Sequence, residues 1–155
     1  MPTVDARPCA LAGAMRLIGE KWSLLVLREL MYGVHRFGDI ARNTGAPRDV
    51  LTSRLRSLEG AGVIRRVQYE ERPPRHEYRL TAAGDELRPI IVSLTQWGDR
   101  WAVDTPPVVF RHTCGSELRV VHTCAACGNP VSGRDLRPEI ADPAWGIRGR
   151  VRPPA

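Results

Sequence analysis

The sequence predicts a mainly α-helical domain carrying a small β-hairpin, followed by a further module of short β structure. Three observations support this. Between residues 9 and 62, apolar side chains recur at helical spacing and are punctuated by Gly19, Gly33, Gly45 and Gly60. From 63 to 80 the pattern changes to β-branched and aromatic residues on either side of a proline pair. Beyond 104, apolar stretches alternate with turns that pair cysteine with glycine.

Residues 9 to 18, CALAGAMRLI, read as a short apolar helix ended by Gly19. Residues 21 to 32 form a second, with Trp22, Leu25, Val26, Leu30 and Met31 near one face and Gly33 as the stop. Both are expected to lie mostly in the core. Residues 36 to 44 make a third helix, in which Phe37, Ile40 and Ala41 keep the i, i+3, i+4 spacing. Gly45 supplies the next turn. A fourth helix then runs from Pro47 to Glu59. Proline suits a first helical position because its missing N–H would be an orphan donor there, and Gly60 suits a left-handed stop. Leu51, Leu55 and Leu58 gather in one stripe aimed at a core, which leaves Asp49, Thr52, Ser53 and Arg56 on the opposite side. Two short helices around a tight turn, the second offering polar side chains outward, have the construction of a helix-turn-helix.

Residues 63 to 69 and 76 to 80 read as strands, and Glu71 to Arg75 between them as a turn, since its two prolines cannot continue a helix. A hairpin with a basic tip behind a helix-turn-helix makes a wing. Arg72 and Arg75 at that tip suit contacts with phosphates or the minor groove; the plainer reading is a solvated hairpin. Thr81 caps a last helix, with Asp85 and Glu86 near its positive end. Leu87, Ile90, Ile91, Leu94, Trp97 and Trp101 form a stripe too large for the edge of so small a domain, so a second subunit is expected to cover it. The alternative is packing on the chain's own first helices. Pro89 calls for a kink, or a break after the first turn.

The bulk figures fit this plan. A chain of 155 residues buries one core and has room for one small module more. A formal charge of +6, carried almost wholly by arginine with Lys21 the single lysine, favours an acidic partner, nucleic acid first among them. No run approaches the ~18 apolar residues of a membrane span, and no charged-then-apolar leader opens the chain, so a cytoplasmic location is expected. In that reducing compartment four cysteines serve better as thiols or metal ligands than as a disulfide framework.

The C-terminal third divides into a module over 104–133 and a Pro, Gly and Arg-rich tail over 134–155, behind a first domain of 1–103. Residues 112 to 115, HTCG, and 124 to 128, CAACG, flank an apolar stretch that reads as a strand. A Cys-x-x-Cys-Gly turn aims two thiolates at one ion, which suggests a zinc-ribbon-like module with structural zinc held by Cys114, Cys124, Cys127 and a histidine. His112 is favoured over His122 because it pairs with Cys114 on the other turn. The competing reading is a zinc-free one, with the thiols as a remnant or a redox pair. The tail is expected to be flexible, with Trp145 as the one residue able to dock.

Four blocks in order, IGEKWSLLVLREL at 18–30, RFGDIARNTGAPRDVLTSRLRSLEGAGVIRR at 36–66, HEYRLTAAGDELRPII at 76–91 and QWGDRW at 96–101, resemble the HxlR-type winged helix-turn-helix transcriptional regulators. The resemblance covers about two thirds of the chain. It implies a homodimer that binds double-stranded promoter DNA, commonly as a repressor, with Arg48, Asp49, Thr52, Ser53 and Arg56 facing the bases and Arg72 and Arg75 the backbone. Some members sense oxidants or electrophiles through a cysteine just ahead of the first helix, and Cys9, close to Arg7, matches that placement. The plain alternative for Cys9 is a small packed residue.

Two other classes compete. A metal or thiol enzyme would need a general base and an open metal position, and no such spacing is present, so no enzymatic activity is predicted. A protein-interaction adaptor would expect an acidic or apolar recognition surface, whereas Arg48, Arg54 and Arg56 lie here. Control by a small-molecule ligand instead of a thiol also fits, though no motif announces a pocket.

Overall fold

The computed structural model describes residues 9–141. Its elements run α1 (Ala10–Ile18), α2 (Lys21–Met31), α3 (Phe37–Thr44), α4 (Arg48–Gly60), β1 (Ile64–Glu71), β2 (Pro74–Leu80), α5 (Ala82–Asp85) and α6 (Arg88–Trp101). The predicted class stands: a helix-rich domain with one antiparallel hairpin, β1 against β2.

The core forms where α2, α3, α4 and the base of the hairpin meet. Val26, Leu27 and Leu30 of α2, Ile40 of α3, Leu51, Leu55 and Leu58 of α4 and Ile64 of β1 are each at most 1% exposed. Removing a side chain of that size from water contributes ~1.5–3 kcal/mol, so the leucine stripe of α4 fixes which face of that helix turns outward. Leu27 lies off the predicted face of α2, yet it is fully buried. The α2 helix is covered on more than one side, and a single stripe understates what it buries.

Two helix ends differ from the sequence reading. Pro47 is the N-cap of α4, at φ −55° and ψ 142°, and Arg48 is the first helical residue. The extended ψ that Pro47 keeps is what lets the chain turn out of α3. At the other end Gly60 remains helical and the left-handed residue is Gly62, at φ +70°. Gly45, also at φ +70°, makes the sharp turn between α3 and α4 as expected.

The hairpin is longer than predicted. Only Arg72 and Pro73 lie between the strands, so Arg75 belongs to β2 and pairs with Glu70 across the ladder. The register slips between Gln68 and Glu70, leaving Tyr69 as the extra residue. A single bridge from Arg36 to Glu77, with the Tyr78 N–H donating to the His35 carbonyl at 2.9 Å, ties the hairpin to the start of α3.

Thr81 caps α5, accepting from the Gly84 N–H at 3.3 Å while its hydroxyl meets the carbonyls of Gly62 and Val63. Gly84 is fitted closely here, since a Cβ would run into the Val63 carbonyl oxygen. The helix breaks between α5 and α6, and Pro89 sits in the first turn of α6, where a missing N–H costs nothing.

Two expectations about burial change. The α1 helix is not core: Leu11, Met15 and Leu17 are exposed and only Ile18 is buried. The stripe on α6 splits. Ile91 is buried and Leu87 packs against the core, whereas Ile90, Leu94, Trp97 and Trp101 are 51–74% exposed. The alternative that the chain's own helices cover the whole stripe is therefore excluded.

The segment after α6 contains no strand of the predicted kind among the described residues. It holds isolated bridges at Arg111–Glu117 and Thr123–Pro130 and two tight turns closed by Gly115 and Gly128, at φ +88° and +74°. Backbone pairing of its extended part stops at Leu118, whose N–H donates to the Phe110 carbonyl at 2.8 Å; a side chain then stands in for a neighbouring strand. The Gln96 amide of α6 donates to the Leu118 carbonyl and accepts from the Val120 N–H at 3.1 Å. Phe110 packs on Tyr32 with ring centroids 6.0 Å apart. The expected tail lies largely, and Trp145 wholly, outside the described residues.

Candidate nucleic-acid interface

With Leu51, Leu55 and Leu58 held inward, the other side of α4 faces outward. Arg48, Asp49, Thr52, Ser53, Arg56 and Ser57 line one concavity of about 590 Å³ together with Phe37 of α3. The five residues predicted for base reading thus fall on a single surface. Arg48, Asp49, Ser53 and Arg56 are exposed and Thr52 is half-buried.

Their hydrogen bonds decide what each can still offer. The Thr52 hydroxyl donates to the Arg48 carbonyl at 2.7 Å, so its oxygen keeps only acceptor capacity for a partner. Ser57 donates to the Ser53 carbonyl at 3.0 Å, and the Ser53 Oγ accepts from Arg54 at 3.4 Å. The Arg48 guanidinium lies 5.0 Å from the centroid of the Phe37 ring, which limits the rotamers of that long side chain. Arg56 has no ion-pair partner among the described residues. Asp49 sits in the first turn of α4, where a carboxylate offsets the unpaired N–H groups that Pro47 cannot cap.

The wing places its arginines unequally. Arg72 is exposed in the turn itself. Arg75 lies within β2 with its Nε 3.2 Å from the Glu70 carboxylate, so part of its charge is already compensated.

Arg36, which the sequence reading does not single out, stands 4.8 Å over the Tyr69 ring at the bulge of β1. It joins the wing to the start of α3. Nothing in the local sequence links two residues so far apart; the helix entry at Arg36 and the strand around Tyr69 are legible, their contact is not.

Two polar groups at the junctions of α2, α3 and the hairpin also escape the sequence reading. Glu29 of α2 is 3% exposed and binds Arg28 through one oxygen, at 2.7 Å and 3.0 Å, and Asn43 of α3 through the other at 2.9 Å. It clamps α3 onto α2. His35 Nε2 meets Arg79 Nη1 at 2.8 Å, and since a guanidinium only donates, that nitrogen accepts. The proton then sits on Nδ1, which is buried without a partner among the described residues. Burial first and the Arg79 charge second push the His35 pKa below its ordinary value.

Cys9 is exposed at the N-cap of α1, where its carbonyl accepts from the Gly13 N–H at 3.0 Å. Its expected neighbour Arg7 lies outside the described residues. It is not a packed small residue.

The zinc donors are not brought together. Among the described residues no three His, Cys, Asp or Glu side chains group closely enough to hold an ion. Cys114, Cys124 and Cys127 are exposed, His112 Nδ1 accepts from the Cys114 N–H at 3.3 Å, and His122 Nε2 lies 3.3 Å from the Ser93 hydroxyl of α6. The arrangement does not fit a closed four-ligand site. Hydrogen bonding still favours two thiolates: Ser116, through its N–H and then its side chain, lowers the Cys114 pKa, and the N–H groups of Cys127 and Ala126 lower that of Cys124.

Comparison with known proteins agrees with this geometry. Over 141 residues the chain is 48% identical to an uncharacterized HTH-type transcriptional regulator of Mycobacterium tuberculosis, covering 89% of this chain and 87% of the relative. That overlap is too long to end with the winged domain, so the similarity continues into the C-terminal segment. The crystal structure of PA1607, described as a candidate transcription factor, superposes with a TM-score of 0.76 at 31% identity over 84% of this chain and 94% of its own. The redox regulator HypR, solved in its reduced form, gives 0.55 at 30% identity, covering 59% of this chain and 92% of its own. Residues 17–106 match the model of the HxlR-like helix-turn-helix proteins, and the chain belongs to that family of transcriptional regulators.

Proposed function

We propose that this regulator binds a pseudo-palindromic promoter site as a homodimer, acting as a repressor, with α4 of each subunit in the major groove. The observation that carries the reading is the outward face of α4: Arg48, Asp49, Thr52, Ser53 and Arg56 on one concave surface beside an exposed, arginine-bearing wing. Arg56 reads guanine, the Thr52 methyl suits a thymine methyl, and Arg72 and Arg75 contact phosphates. The exposed Ile90, Leu94, Trp97 and Trp101 of α6, with Leu11 and Met15 of α1, supply an apolar surface for the second subunit. A two-fold dimer demands half-sites about one helical turn apart, or a multiple of it.

Selection of bound fragments from genomic DNA, followed by footprinting, tests this. A recovered site with two-fold symmetry is expected. Uniform binding to unrelated fragments at physiological salt would sink the proposal. Repression is read separately, as rising transcription from the bound promoter when the protein is removed.

Cys9 is proposed as an oxidant-responsive thiol, supported by its exposure at the start of α1 and by the likeness to HypR, a redox regulator solved in reduced and oxidized forms. Wild type should lose promoter affinity in mild oxidant while Cys9→Ser should not; identical responses would dismiss the role. Structural zinc is proposed on donor chemistry alone and requires the turns at Gly115 and Gly128 to close on one another. Metal analysis of the purified protein decides it, with less than about half an equivalent per chain counting against the site.

A further inference from the structure

Away from α4, a concave feature lies between α2, α6 and the segment that follows α6. It is a cleft of about 450 Å³. Leu24 and Leu25 of α2, Ile91 and Leu94 of α6, and Pro107 and Val108 beyond it form apolar walls. A volume of this order suits a small organic molecule.

The charged groups on the lining are few and unbalanced. Arg28 is committed to Glu29, with two nitrogens on one carboxylate oxygen, and that pair is neutral as a unit. Asp99 is the remaining charged residue of the lining, and it has no ion-pair partner among the described residues. Tyr32, whose ring also packs on Phe110, lines the same space and is the one aromatic residue of the lining. Burial raises the Tyr32 pKa, Arg28 opposes this, and the negative charges of Glu29 and Asp99 add to it.

An apolar cleft with one carboxylate outside any ion pair and an aromatic residue on its lining is complementary in charge to a cation with a hydrocarbon body. We propose that the cleft between α2 and α6 binds an amphipathic organic cation, its protonated amine against Asp99 and Tyr32 and its hydrocarbon body between the leucines and Val108. The ligand would span parts that must keep their relative placement for DNA binding. On one side Glu29 continues through Asn43 to α3; on the other, Leu94 belongs both to the cleft and to the exposed stripe of α6. The binding itself does not depend on the DNA-recognition reading.

Isothermal titration of the full chain with phenylbutylamine, phenylbutanol and phenylbutyrate tests the proposal, because the three share a body and differ in charge. The amine should bind at least about tenfold more tightly than the acid, with the alcohol between them, a tenfold ratio being about one charge-assisted hydrogen bond. Asp99→Asn should bring the amine to the affinity of the alcohol. Val108→Trp, which fills the cleft, should abolish binding of all three while both variants keep the helical circular dichroism of the wild type. Equal affinity for the three probes, no binding of any at millimolar concentration, or an Asp99→Asn variant that still prefers the amine would each overturn it.

Discussion

Replacing Arg56 with alanine separates base reading from backbone contact. The side chain stands on the exposed face of α4 with no ion pair to break among the described residues, so its removal should leave the fold unharmed. A bidentate arginine–guanine contact contributes ~1–3 kcal/mol of discrimination, roughly 5- to 150-fold per half-site. In a two-fold complex the same loss occurs at both half-sites. Fluorescence anisotropy against the selected operator and its single-base variants, repeated at several salt concentrations, measures the effect. The expected result is a large loss on the operator, little change on variants already lacking that guanine, and a nearly unchanged salt slope. An arginine bound to phosphate behaves otherwise: its removal weakens binding to every sequence, and the slope of log K against log salt drops by ~0.9 for each phosphate no longer neutralised. A uniform loss with a reduced slope would refute the base-reading assignment and move Arg56 to the backbone.

Glu29→Ala should destabilise the domain by ~2 kcal/mol, since it removes charge-assisted hydrogen bonds to Arg28 and Asn43, both of which can turn back to water; urea unfolding measures it. A change below about 0.5 kcal/mol would show that the clamp between α2 and α3 is not holding them. His35 makes stability depend on pH. Its folded pKa lies below its ordinary 6.5, so as pH falls below 6.5 the unfolded chain takes up the proton first and stability declines toward the folded pKa; above 6.5 the contribution is constant. The urea midpoint of wild type should therefore fall more between pH 7.5 and pH 5.5 (about one unit either side of that value) than the midpoint of His35→Gln. Gln96→Ala should loosen the segment that follows α6. Two hydrogen bonds at ~0.5–1.5 kcal/mol each predict tryptic cleavage after Arg111 or Arg119 that is ~5- to 150-fold faster, with DNA affinity retained.

The helical part of the fold is legible because its signals are local. Each of these helices carries its own apolar spacing and its own glycine, so the order of α1 to α4, the hairpin and an interruption near Pro89, as a kink or a break, can be read without knowing what packs where. The same reasoning assigns Asp49, Thr52, Ser53 and Arg56 to one face, since 100° per residue is a property of the helix alone, and the family resemblance adds Arg48. Misreadings fall where a signal has two adjacent candidates. Gly60 and Gly62 both suit a helix end, and the chain takes the left-handed turn at the second, where β1 must begin. Two prolines suggest a wide turn with Arg75 at its tip, but only Pro73 lies between the strands, and Pro74 opens β2.

What stays hidden involves partners far apart in sequence or pairings of unlike kind. The Arg36–Tyr69 stack and the Glu29–Asn43 bond each need the fold before the two residues can meet. The segment after α6 shows the limit most clearly. Its apolar run from Leu118 to Val121 has the composition of a strand, and a strand needs a neighbour with regularly spaced donors and acceptors. No second strand supplies them among the described residues. One glutamine does, because an amide side chain carries the same donor and acceptor as a peptide group, and Gln96 turns both toward Leu118 and Val120. Pro107 and Val108, a little earlier in that segment, wall the cleft on α2 and α6. The part of the chain with the weakest sequence signal therefore helps wall the cleft proposed for a ligand, while the helices with the strongest signal shape the surface proposed for DNA.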